Sequence, residues 1–168
     1  MLAAYQREDM SVWKAYIDSN DERRTTNDLI YEYGYCGYIV DKDKEAAKPY
    51  VQRFRRHVEV LKDTLPAGHY EMYLSAVYVY ELRLHESFRP AKAMNFAKQA
   101  TKLAPDDPLV LSYYGTSLFY APQPFGSKRE ALAYFEKAEQ RFRAPKWRFC
   151  WIKEATRMYI DQCKAKLQ

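Results

Sequence analysis

Ala93, Ala97 and Ala100 recur as Ala131, Phe135 and Ala138, each shifted by 38 residues (131 − 93, 135 − 97, 138 − 100). Small residues at i and i+7, with a variable residue at i+4, share one side of a helix and let a second helix approach closely there. A repeat period of about 20–50 residues signals stacked supersecondary units that bury their apolar faces only against neighbours. Such stacks present extended binding surfaces more often than active sites.

The rest of the composition agrees with a helical array. A chain of 168 residues, 48% hydrophobic and 29% charged, is too apolar for disorder and large enough for one folded domain. With only 5 Gly and little period-two alternation, helix is favoured over sheet. The outlying number is 16 Tyr. Tyrosine is amphipathic, so a surplus beyond the needs of a core points to interfaces. Net charge is +5, from 27 basic and 22 acidic residues. That admits an acidic partner but lacks the concentrated basic stripe of nucleic-acid binders, so nucleic acid is disfavoured. Cys36, Cys150 and Cys163 have neither disulfide-framework nor CxxC spacing and read as small buried hydrophobes. No run approaches the roughly 18–20 apolar residues of a membrane span. No secretory leader is visible, and the opening residues already read as helix.

Punctuation along the chain predicts eight helices in four hairpins and no strand. A helix from Met1 to Ser19 carries Tyr5, Met10, Trp13, Tyr16 and Ile17 on one face, and Asn20 to Arg24 forms a charged turn. Thr26-Asn27-Asp28 caps a second helix to about Val40, whose Gly34 and Gly37 predict a close helix crossing. A third spans about Glu45 to Leu61 with a stripe of Ala46, Tyr50, Phe54, Val58 and Leu61. A fourth runs from Tyr70 to about Glu86, and a fifth from Pro90 towards Pro105. Asp106-Asp107-Pro108 opens a sixth to about Phe119, and the prolines and glycine of Ala121–Gly126 break it. Ser127 and Glu130 form a capping box for a seventh, to about Phe142. The last, Lys146 to Leu167, presents Trp147, Trp151, Ile152, Ala155, Met158, Tyr159 and Cys163.

From Leu74 to Ala138 the pattern resembles the tetratricopeptide repeat. One unit offers Val77, Tyr80, Glu81 and Leu84, then Ala93, Ala97, Ala100 and Pro105; the next offers Leu111, Tyr114, Gly115 and Leu118, then Ala131, Phe135, Ala138 and Pro145. The first-helix offset is 34 (115 − 81) and the second-helix offset 38, which places a four-residue insertion in the Ala121–Gly126 turn. A degenerate earlier unit has Ile30, Tyr33, Gly34, Gly37, Ala46 and Tyr50, with Arg53 at the second small position. The resemblance implies an all-α, right-handed superhelix: cap 1–24, degenerate repeat 25–66, repeats 67–105 and 106–143, cap 144–168. The stretch from Tyr120 to Ala131, with its Pro122-Gln123-Pro124-Phe125-Gly126 core, resembles a variant found in bacterial repeat proteins, many of them envelope-associated. An envelope or periplasmic location is thereby implied ahead of the cytoplasm.

The same resemblance implies a concave groove lined by the first helix of each pair. Its positions fall on Tyr31, Tyr35 and Tyr38, on Tyr78, Leu82 and His85, and on Ser112, Thr116, Phe119 and Tyr120. None is the Lys, Asn or Arg with which the chaperone-binding version clamps a carboxylate terminus. An apolar or aromatic peptide, or a partner helix, is the implied ligand, and the ends of such a stack allow homodimerisation.

Other chemistry finds little footing. His57, His69 and His85 lack metal-ligand spacing, and the sequence has no HExxH, GxSxG, P-loop or GxGxxG motif. Its carboxylates read as solvated helix faces, so neither catalysis nor a cofactor is expected. The run Arg141-Phe142-Arg143-Ala144-Pro145-Lys146-Trp147-Arg148-Phe149 is the rival site, because interleaved cations and rings can bind phosphates and stack on bases. Arg141, Arg143, Lys146 and Arg148 would carry RNA or polyanion binding. The competing expectation is that Phe142 and Trp147 pack inward while the cationic stems lie over them.

Overall fold

The computed structural model describes residues 1–19, 25–85 and 89–167. Among these the chain is all-α, 78% helix with no strand. Nine α-helices are present: α1 Leu2–Gln6, α2 Ser11–Ser19, α3 Leu29–Lys42, α4 Lys44–Val60, α5 His69–Arg83, α6 Pro90–Leu103, α7 Pro108–Tyr120, α8 Lys128–Arg141 and α9 Trp151–Leu167. The predicted turn Asn20–Arg24 and the end of the fourth predicted helix at Glu86 lie outside the described residues. Two compact units are distinguished, Ala3–Phe96 with Met1 and Ala97–Gln168 with Leu2, the main division falling within α6.

In the first unit α2 packs on α3, α3 on α4, and both α3 and α4 on α5. The single helix expected over Met1–Ser19 is two, because Glu8 takes a left-handed φ of 57° and Asp9 accepts the Ser11 N–H at 3.1 Å. That carboxylate starts a new helix where the old one cannot continue. The predicted face still holds, with Met10, Trp13 and Ile17 buried. Asp28 precedes α3 without capping it; its carboxylate instead accepts from Thr25 N, Thr25 Oγ1 and the Tyr16 hydroxyl. Asp43 caps α4 through the Ala46 N–H at 3.0 Å.

The buried stripe of α4 is Ala47, Val51, Phe54 and Val58, with Ala46 exposed. The expected stripe stepped by four residues from Ala46 to Val58, which drifts about 40° per step. Alternating steps of four and three hold one face. Gly37 serves the predicted close approach: a Cβ there would stand 3.2 Å from the Tyr80 hydroxyl. That hydroxyl donates to the Tyr33 carbonyl at 2.8 Å, tying α5 to α3.

In the second unit α7 lies against α8 and α9, which also pack together. Asp107 caps α7, accepting from Leu109 N at 2.9 Å and Val110 N at 3.2 Å, and Pro108 occupies the first turn. Ser127 caps α8 through the Glu130 N–H at 3.1 Å. The return half of the expected capping box is replaced, because the Ser127 N–H donates to the Leu118 carbonyl at 3.1 Å. The last predicted helix divides into a 3₁₀ turn, Pro145–Trp147, and α9. Ile160 takes the buried place expected of Met158, which is exposed.

Both alanine triplets are buried. Ala93, Ala97 and Ala100 have relative exposures of 5, 0 and 0%, and Ala131, Phe135 and Ala138 are all 0%. Where the second triplet carries Phe135, the facing position on α7 is Gly115, which leaves room for the ring.

Candidate functional site

Helix α7 is apolar nearly all round, so most of its length is core and only a narrow strip near its C-terminal end reaches solvent. The seam between α7 and α9 is ordered by hydroxyls at its closed end. Thr156 donates its hydroxyl proton to the Ile152 carbonyl at 2.7 Å, so Ser112 donates to Thr156 Oγ1, also at 2.7 Å. One turn on, the half-buried Thr116 donates to the Ser112 carbonyl at 3.0 Å.

Rings organise the open end. Tyr159 of α9 stacks on Phe135 at 5.2 Å and 5° and meets Phe119 at 5.4 Å. Tyr120 stands edge-on to both Phe119 and Tyr159, and its hydroxyl is 3.2 Å from that of Tyr159. Tyr120 is nonetheless 66% exposed. Two ammonium groups border this face, Lys128 at 4.1 Å and Lys166 at 4.9 Å from the Phe119 ring centroid, both within cation–π range. The same lysines pull on the buried Cys163 thiol, whose pKa burial nevertheless raises. The surface offers ring faces, phenolic and aliphatic hydroxyls, and positive charge.

Seated beneath these groups, Ser112 and Phe119 are buried and are withdrawn from the expected lining, whereas Thr116 and Tyr120 reach the surface. The signal missed in the sequence was Tyr159, read as one more core residue of the last helix.

The groove positions of the first unit are distributed differently. Tyr31 packs edge-on to Trp13 at 5.4 Å and Tyr16 at 5.7 Å, both on α2. Tyr35 is buried edge-on to Tyr50 of α4 at 4.9 Å, and burial pushes its phenol up to about 12. Only Tyr38, with Lys42 at 6.0 Å from its ring, is exposed. This face of α3 is covered by α2 and α4, so Tyr35 also leaves the lining. Tyr78 stacks on Phe96 of α6 at 5.8 Å and 6°, with Arg55 of α4 at 5.1 Å and Lys92 of α6 at 4.7 Å. The Lys92 hydrogen bond, then Arg55, hold its phenol below the ordinary range. Tyr78 therefore points towards α4 and α6, while Tyr80 and Gly37 form the contact with α3. Leu82 is half-buried, and His85 sits exposed beyond α5 at φ 62°, with a ring nitrogen 3.0 Å from Lys44 Nζ.

In the basic-aromatic segment Phe142 packs inward, whereas Trp147 is half-exposed. Phe142 is buried and edge-on to Trp147 at 5.6 Å. Lys146 lies 5.0 Å over Trp147 and Arg148 5.3 Å over Phe149. Arg141 is engaged with Asp106 at 2.7 Å; Arg143 and Phe149 are exposed.

One buried polar pair had no sequence signal. His57 Nδ1 of α4 lies 2.9 and 3.0 Å from the two carboxylate oxygens of Glu32 on α3, with both residues buried. Histidine and glutamate 25 residues apart show no periodic relation that would pair them. Among the described residues no group of His, Cys, Asp and Glu could hold a metal ion, and no helix is long and apolar enough to cross a membrane. No family model, no curated protein and no solved structure matches the chain.

Proposed function

We propose that the protein is a non-catalytic interaction module, of tetratricopeptide-repeat type, that holds a peptide segment or partner helix against the α7–α9 face. The observation that carries this reading is Tyr120: a large ring two-thirds in solvent, held in one orientation by Phe119 and Tyr159. A pre-oriented, amphipathic ring loses little conformational entropy on binding, which is why tyrosine anchors so many interfaces. Lys128 and Lys166 at the rim favour a peptide that brings acidic residues alongside its apolar ones. The two buried triplets support the repeat assignment, since each is the small-residue stripe that such stacking needs.

The test is selection from a random peptide library, followed by titration of the enriched peptides. Tyr120→Ala should weaken them by about 1–2 kcal/mol, roughly 5- to 30-fold, while leaving the helical circular-dichroism signal intact. Equal affinity for Tyr120→Ala would remove the face from consideration. Binding to single-stranded RNA that collapses between low and moderate salt, and depends on Arg143, Lys146 and Arg148, would favour the polyanion reading instead.

A further inference from the structure

A cleft of about 380 Å³ opens in the second unit, lined by Lys98, Thr101, Lys102 and Pro105 of α6 and the turn after it, Leu111 and Tyr114 of α7, and Tyr134 and Lys137 of α8. It shares no lining residue with the α7–α9 face. Its volume falls within the roughly 300–1,000 Å³ of small-molecule sites.

The two ends of the cleft differ in chemistry. At one end Lys98 and Lys102 stand four residues apart, on the same side of α6. Lys137 joins them from α8, its Nζ fixed by a 2.7 Å hydrogen bond to the Pro105 carbonyl. Asp106 pairs with both Arg141, at 2.7 Å, and Lys137, at 3.4 Å, one carboxylate against two cations. The three ammonium groups therefore remain a local positive surplus. At the other end Tyr114 and Tyr134 meet edge to face at 4.7 Å, with Leu111 beside them. Burial, and after it the nearby charge of Glu130, raises both phenols above their ordinary value. The lysine end thus accepts an anionic group, and the tyrosine end offers ring and aliphatic surface.

We infer that this cleft binds a small phosphomonoester carrying an aromatic group, the phosphate between Lys98, Lys102 and Lys137 and the ring against Tyr134 and Leu111. Phosphate is favoured over carboxylate because the cations are lysines. Three point charges suit a compact dianion, whereas planar carboxylates are matched best by the guanidinium fork. An aromatic portion is favoured because Tyr134, half-exposed, offers a ring surface beside the apolar Leu111.

Titration calorimetry with AMP, phenyl phosphate, inorganic phosphate and adenosine tests the assignment. AMP or phenyl phosphate should bind saturably and at least 10-fold more tightly than inorganic phosphate, with adenosine not detected. Lys98→Gln/Lys102→Gln, both on exposed positions, should cut the affinity at least 10-fold with an unchanged helical spectrum. Tyr134→Ala should reduce it for the aromatic esters alone. The inference is overturned if adenosine binds as well as AMP, if neither ester outbinds inorganic phosphate, or if the lysine substitutions change nothing. Peptide binding at Tyr120 is independent of all these outcomes.

Discussion

A Cβ on Gly115 would stand 2.8 Å from two ring carbons of Phe135. Phe135 is fully buried and also stacked on Tyr159, so it has no room to retreat. Gly115→Ala should therefore cost about 1–3 kcal/mol of overpacking, against the ~1 kcal/mol that alanine ordinarily adds to a helix interior. Chemical denaturation reads the sum; a more stable Gly115→Ala protein would show that the α7–α8 contact yields. Adding Phe135→Leu should restore part of the loss.

The alanine stripes make a parallel prediction. Ala100 and Ala138 are fully buried, so Ala100→Trp or Ala138→Trp should destabilise by about 1–3 kcal/mol or more. Unchanged melting of both variants would mean that neither faces a partner helix.

Glu32 and His57 invite a double-mutant comparison. Glu32→Ala removes one side of a buried polar pair and should cost about 3–5 kcal/mol, since it strips a buried ring nitrogen of its carboxylate. Glu32→Met together with His57→Phe should be milder than Glu32→Ala alone, because the two groups that face each other are removed together. Urea denaturation of the single and double variants decides it. If Glu32→Ala is harmless, the pair contributes little to holding α3 on α4.

Two tyrosines should titrate on opposite sides of the ordinary phenol value. Tyr35 is raised to about 12 by burial, so its neutral form stabilises the fold. That contribution is complete below about pH 10, the unfolded value, and is lost as pH rises through 12. Tyr78 is lowered by the Lys92 hydrogen bond and by Arg55, so its ionised form is the stabilised one. Its contribution is present above the unfolded value and disappears as pH falls through the folded one. In an ultraviolet titration of tyrosinate absorbance, Tyr78→Phe should remove an early-ionising phenol and Tyr35→Phe a late one. Superimposable curves would refute both placements.

The all-α class and most helix termini were legible because their signals are local. Asp107-Pro108 and Ser127 mark helix starts by backbone chemistry that needs no tertiary partner, and the caps form at those residues. Which way a side chain points was less accessible. Tyr31 and Tyr35 occupy one face of α3 as periodicity demands, but only the packing of α2 and α4 decides that this face is covered. Tyr78 illustrates the same limit: its helix was foreseen, its neighbours Arg55, Lys92 and Phe96 were not. The lysine–tyrosine cleft draws on three segments, each unremarkable alone, and becomes a cluster only after folding.

The turn after α7 folds back upon that helix. Phe125 N and Gly126 N both donate to the Pro122 carbonyl, at 2.9 and 3.0 Å, and Ser127 N to that of Leu118. A Cβ on Gly126 would collide with the Ala121 carbonyl, so this position has no alternative to glycine. The residues of this turn thereby close on themselves before α8 begins, and α8 starts from an anchor on α7 rather than from the end of a tether. The exposed side chains of Gln123 and Phe125 can consequently be replaced without displacing the helices on either side. The tip is a ready-made point of attachment for a fluorophore, set in sequence between Tyr120 and Lys128 of the α7–α9 face, where it would report on whatever docks there.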